Sequence, residues 1–355
     1  MKRTDIRFAV LITTFVAGTV IGFAQGPGMA RPTPPTSTTE SRGDIKTGDA
    51  APAGQPVVRG QVALADGSVP DGLIEIYAVC GGTEKVIAVA DSKGRFNFNP
   101  GVLSPMKDTK GCVLRATLEG YRSETKPLEG VKPDSSTKVG KILLQPLSSE
   151  TNALTSGAST QANKAAKKAY EKGLDEAAKQ TWAPAKASLL KATAAYPDYS
   201  EAWLSLGLLQ LSEGDRDGAQ KSFAESARAD GKFAAPLIQL AVVDSLRSDW
   251  SATVEHSQKA IDLNPSAFPR AYELNALGNL NLKKADAVEK SAAEGLKIDT
   301  EHRYSELEYL LGIVLAAKHE MDGATKHLQT YLDQSPNGPN IERAKTALAE
   351  LRASK

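Results

Sequence analysis

The chain has 355 residues, enough for about two domains, and 41% of them are hydrophobic, ample for packed cores. Its 43 Lys+Arg stand against 42 Asp+Glu, interspersed and without a basic stripe. That balance excludes long-range electrostatic capture of nucleic acid or of an anionic membrane.

Lys2, Arg3 and Arg7 open the chain, and an apolar run of 17 residues follows from Phe8 to Ala24. Gly22 and Ala24 make a small-residue exit, so residues 1–24 read as a signal peptide cleaved before Gln25. Gly28 and Ala30 offer a second exit, and an uncleaved anchor is the competing reading because the run sits at the short limit for a span. No cysteine lies near the exit, which excludes a lipoprotein anchor. The expected location is the periplasm or cell envelope. Residues 25–55 are rich in Gly, Pro, Thr, Ser and Ala. They bury too little to offset chain entropy and read as a disordered tether.

From 56 to 147 the pattern turns to period two. Short runs at Val58–Val62, Leu73–Tyr77, Val86–Ala90, Phe96–Phe98, Val113–Leu118, Thr125–Leu128 and Ile142–Leu144 are separated by turn signals such as Asp66-Gly67 and Ser92-Lys93-Gly94. They predict a small all-β, antiparallel sandwich. The two cysteines of the chain, Cys80 and Cys112, both fall here. In an exported chain they read as one disulfide closing a loop of about 30 residues. Without a nearby histidine they cannot complete a tetrahedral metal set.

Val58-Arg59-Gly60-Gln61-Val62, Asp91-Ser92-Lys93-Gly94-Arg95-Phe96 and Gly120-Tyr121 resemble the carboxypeptidase regulatory-like domain, a transthyretin-like sandwich. The resemblance implies an accessory module without catalysis. Gly94 would supply the positive φ of a hairpin turn that feeds Phe96 into the core. The polar Pro100–Gly111 loop departs from that pattern and reads either as a surface contact or as an ordinary solvated loop.

Residues 148–163, rich in Ser, Thr, Ala and Gly, read as a linker allowing the two halves to move independently. The remainder is all-α, with punctuation repeating about every 34 residues. Trp203, Leu206, Gly207, Ala219 and Phe223 mark one unit, and Leu237, Leu240, Ala241, Ala260 and Pro265 mark the next. Gly173, Ala185, Leu189 and Pro197 precede them, and Leu311, Gly312, Ala324, Leu328 and Pro336 recur later. A fourth unit keeps Leu277 and Gly278, but its second helix (Val288, Ala292, Gly295) arrives early, implying a shortened turn at Lys283-Lys284. Residues 164–339 thus resemble about five tetratricopeptide repeats, and residues 340–355 a capping helix.

The resemblance implies partner binding in a concave groove lined by the first helix of each unit. Carried onto this chain, its apolar positions are Tyr170, Leu174, Leu204, Leu208, Leu211, Ile238, Val242, Tyr309 and Ile313. Such a strip suits the apolar face of a helix or an extended segment. Its competing occupants are Ala153 to Ala166 or another copy of the chain.

Catalytic patterns are missing from the sequence. His256, His302, His319 and His327 stand on or beside helices as surface residues, and neither a two-histidine zinc motif nor a Gly-x-Ser-x-Gly turn occurs. The expectation is a non-enzymatic exported scaffold, without cofactor or metal, that holds a protein or peptide partner of the cell envelope in its groove. The alternative is carbohydrate or cell-wall binding through the sandwich, with the repeats as spacer and Tyr77, Phe96, Phe98 and Tyr121 as its aromatics.

Overall fold

The computed structural model describes residues 55–81, 83–103, 110–132, 135–149 and 153–353. The expected signal peptide, the tether before Gln55 and residues 104–109 of the polar loop lie outside the described residues.

The β half contains two four-stranded sheets. One has the order β4-β1-β8-β6, with β1 Val58–Leu64, β4 Arg95–Phe98, β6 Tyr121–Ser123 and β8 Thr137–Pro146. The other has the order β3-β2-β5-β7, with β2 Glu75–Cys80, β3 Thr83–Val89, β5 Val113–Thr117 and β7 Thr125–Pro127. Alternation puts Phe96 and Phe98 of one sheet and Ile76, Ala78, Leu114 and Ala116 of the other into one core. The antiparallel expectation needs one correction: β1 and β8 run parallel, from Val58 opposite Thr137 to Leu64 opposite Leu144. Period-two patterning marks the buried face and carries no information on strand direction. Strand β6, three residues long, was not among the runs legible in the sequence.

The Asp91–Phe96 element forms as its chemistry dictates. The Asp91 carboxylate accepts the Lys93 and Arg95 amides at 2.9 and 2.8 Å. Gly94 turns at φ 71°, where an added Cβ would lie 2.3 Å from the Val62 carbonyl oxygen. Cys80 and Cys112 form a disulfide that joins the end of β2 to the start of β5.

The α half is five helical hairpins and a final helix: α1 Lys164–Ala178, α2 Trp182–Ala195, α3 Ser200–Ser212, α4 Arg216–Ala229, α5 Ala235–Leu246, α6 Trp250–Leu263, α7 Pro269–Asn281, α8 Ala285–Ile298, α9 Glu306–Ala317, α10 Met321–Gln334 and α11 Ile341–Ala353. Small residues in the first helices let large ones approach from the second. A Cβ added at Gly173, Gly207 or Gly312 would meet Leu189, Phe223 or Leu328 at 2.9, 2.4 and 2.7 Å. Gly278 instead faces Val254 of the preceding hairpin, at 2.7 Å from such a Cβ. A buried polar seam of Asn275, Ser257 and Ser291 takes up the space beside it.

The shortened fourth turn does not exist. Each hairpin turn has three residues, and each holds one in the left-handed region: Gln180, Gly214, Ser248, Lys283 and His319. The small residues of this hairpin are spaced differently because they serve other contacts, Gly278 meeting Val254 and Gly295 meeting Tyr272 and Leu307.

The 148–163 segment is also not a free linker. Residues 153–163 lie against the helices, with Ala153 accepting the Ala234 amide at 3.1 Å and Ser156 Oγ donating to Asp230 at 2.8 Å. Nor are the halves independent. The Ser92 amide donates to Asp175 of α1 at 3.0 Å, and Asn337, beyond α10, donates to the Gly81 carbonyl at 2.8 Å. Between these ends, a Cβ on Gly120 (φ 81°) would strike Leu154 at 2.2 Å and Phe268 at 2.9 Å. The β half is therefore held against the array from its first hairpin to its last.

Candidate functional site

The first helices α3, α5 and α7 turn their inner faces toward strands β2 and β5, and a cavity of about 470 Å³ remains between them. Two rows of side chains make its walls. Leu204, Leu208 and Leu211 of α3, Val242 of α5, and Leu274 and Leu277 of α7 give the apolar wall. Glu75 and Tyr77 of β2, with Arg115 and Thr117 of β5, give the polar wall, completed by Glu119, Arg270, Glu273, Arg303 and Tyr304. Asp71 and Ser212 also line the cavity and are exposed, so it reaches solvent.

The polar wall is electrostatically strained by burial. Arg115 pairs with Glu84 at 2.6 Å, and Arg270 stands 3.8 Å from Glu119. The Tyr77 hydroxyl donates to Glu75 at 2.8 Å. Burial pushes the Glu75 and Glu119 carboxyls up, and Arg270 pulls both back. Burial raises Glu273 to about 7 against the opposing pull of Arg270, and the nearby Glu306 and Asp299 raise it further. Glu201, at the start of α3, is pushed to about 8, first by burial and then by the charges of Asp71 and Asp230, despite accepting the Ser156 amide at 2.8 Å. Burial lowers the Arg115 guanidinium, and Arg303 adds to that. Several polar atoms at these walls are buried without a hydrogen-bond partner: Arg115 Nε, Thr117 Oγ1, Glu201 Oε2 and Arg303 Nε.

The groove positions named from the sequence divide into four groups. Leu204, Leu208, Leu211 and Val242 line the cavity. Ile238 is fully buried in the core that contains both sheets. Tyr170 and Leu174 pack in a cluster with Leu73 and Val89 of the β half, Tyr170 lying 4.9 Å from the Tyr199 ring. Tyr309 is buried with its ring 5.4 Å from Tyr331, and Ile313 is half-buried. Tyr170 and Leu174 are thus covered by the chain's own β half, and the expected occupant Ala153 to Ala166 reaches the groove as well, with Leu154 lining the cavity and the Ser156 amide donating to Glu201 at 2.8 Å.

What sequence reasoning missed is the polar wall. Glu75, Tyr77, Arg115 and Thr117 alternate with core residues, which marks them as outward-facing but does not say what they face. Of the four aromatics considered for sugar stacking, Phe96, Phe98 and Tyr121 are buried and Tyr77 faces the cavity. Two histidines are less free than expected: His256 contacts Asp244 at 2.7 Å and His327 contacts Glu308 at 2.5 Å. Among the described residues, no group of three His, Cys, Asp or Glu could hold a metal ion, and no helix is long and apolar enough to cross a membrane.

A scan against family profiles and a search of curated proteins found no match. Among solved structures the chain is similar to the MamA protein, with 19% identity over 51% of this chain and 95% of that one and a TM-score of 0.43. It is also similar to a tetratricopeptide repeat protein from Parabacteroides merdae, with 16% identity over 53% of this chain and 73% of that one and a TM-score of 0.45. YrrB, described as a TPR protein with an unusual peptide-binding site, shares 17% identity over 50% of this chain and 90% of that one, with a TM-score of 0.44. Each of these TM-scores is below 0.5.

Proposed function

We propose that the chain is a non-enzymatic, exported scaffold that binds an apolar segment of a protein partner in the cavity between its two halves. In this reading the helices are a tetratricopeptide-type array and the two sheets a carboxypeptidase regulatory-like sandwich. The sandwich narrows the groove and supplies its polar wall. The observation that carries the reading is the strip formed by Leu204, Leu208, Leu211, Val242, Leu274 and Leu277, which lines open space while the β half is seated. A pocket of this size with an apolar wall and a few convergent polar groups is the usual form of a binding site. The Cys80–Cys112 disulfide supports export, since such bonds persist in oxidising compartments.

Calorimetric titration of the full chain with a short leucine-rich peptide tests this. Binding is expected, and the double variant Leu208→Gln/Leu211→Gln, altered at two half-buried positions, is expected to weaken it at least tenfold while melting as the parent does. Equal binding by parent and variant would remove the cavity from consideration.

A further inference from the structure

Resting on that cavity reading, we propose that the group bound between Asp71 and Glu201 is a cation, a primary ammonium carried on an apolar body. Carboxylates outnumber guanidiniums along the walls: Asp71, Glu75, Glu84, Glu119, Glu201 and Glu273 against Arg115, Arg270 and Arg303. The guanidiniums are partly engaged, with Arg115 Nε and Arg303 Nε left without a hydrogen-bond partner. Arg115 pairs with Glu84, Arg270 faces Glu119, and Arg303 lies 5.9 Å from the centre of the Tyr304 ring. Glu201 is not satisfied. It is 2% exposed, it lines the cavity, and its Oε2 has no partner. Asp71 stands at the exposed rim, and Lys167, the cation that acts on it, gives its ammonium to the Thr160 carbonyl at 3.0 Å.

Without a cation beside it, burial keeps the Glu201 carboxyl protonated up to about pH 8; a cation seated at Oε2 lets that proton leave to solvent and gives the buried oxygen its partner. The apolar body has its track on the same helix. Leu204, Leu208 and Leu211 follow Glu201 at three, seven and ten residues, one face of α3. That face extends about 15 Å from the carboxylate. A ligand with its positive group at the start of α3 and apolar side chains behind it fits this order. Both a peptide's terminal ammonium and a lysine side chain have that chemistry.

The test is calorimetry on the full chain with four probes: Leu-Leu-Val-Leu-amide, its N-acetyl form, acetyl-Lys-Leu-Val-Leu-amide and acetyl-Glu-Leu-Val-Leu-amide. The proposal expects at least one of the two cationic probes to bind at least tenfold more tightly than the neutral and anionic ones. The tighter of the two identifies the ammonium's source. Glu201→Gln, which keeps an acceptor for the Ser156 amide, is expected to abolish the preference, and Asp71→Asn, at the exposed rim, to reduce it. Equal binding of the neutral probe overturns the cation and leaves the cavity reading intact. Tighter binding of the Glu probe overturns it in favour of the arginines. Binding by none of the four overturns both.

Discussion

At the scale of single residues, Glu201 governs how the molecule responds to pH. Its carboxyl rises from 4.5 to about 8 on folding, chiefly through burial, with Asp71 and Asp230 adding to the rise. Between those values the folded chain keeps a proton that the unfolded chain has released. Stability therefore falls as pH rises through that window, by an amount on the order of a few kcal/mol. Glu273, raised to about 7, acts in the same direction. Urea unfolding at pH 5 and pH 8 should show a smaller loss for Glu201→Gln than for the parent; equal losses would mean that Glu201 ionises freely in the folded chain. Gly120 is the second decisive residue, since its φ of 81° and its closeness to Leu154 and Phe268 leave no room for a methyl group. Gly120→Ala should cost about 1–2 kcal/mol and loosen the β half, read as faster proteolysis of the 148–163 segment. Unchanged cleavage would show that Leu154 moves aside at no cost.

Among the elements, the hairpin turns carry a recurrent strain. Four of the five left-handed turn residues are not glycine: Gln180, Ser248, Lys283 and His319. Ser248 and Lys283 are exposed, so replacing them removes little packing. Ser248→Gly and Lys283→Gly should each stabilise the array by about 1 kcal/mol, the left-handed cost outweighing glycine's entropy; denaturant midpoints that fall instead would contradict this. The disulfide closes a separation of 32 residues, and Cys80→Ser/Cys112→Ser should lower stability by about 3–4 kcal/mol on the loop-entropy account. Melts with and without reductant provide the check. The hairpins were legible because small-against-large packing, as at Gly207 and Phe223, writes a period into the sequence. The turn conformations were not, because nothing in Gln, Ser, Lys or His announces a positive φ. The parallel β1–β8 pair was hidden for a similar reason: alternation at Val58, Gly60 and Val62 is the same for either direction.

For the whole molecule, each half was readable alone and their union was not. Leu204, Leu208 and Val242 stand out in the sequence as an apolar strip, whereas Glu75 and Arg115 carry no signal of what they face. Their meeting depends on long-range contacts, Ser92 with Asp175 and Asn337 with Gly81, that leave no local pattern. The composition of the 148–163 segment predicts flexibility, yet Ser156 and Ser159 use their small polar side chains to dock it, Ser156 on Asp230 and Ser159 on the Glu201 amide. The central claim is that the β half stays seated on the inner face of the array while a partner segment occupies the remaining cavity. The most direct measurement is to lock that arrangement with Ser92→Cys/Asp175→Cys and titrate the oxidised chain with the leucine-rich peptide. The locked chain is expected to bind with unchanged affinity. Loss of binding that returns on reduction, while the parent's binding is unaffected by the same reductant, would contradict the claim and mean that a partner must displace the β half to reach the groove.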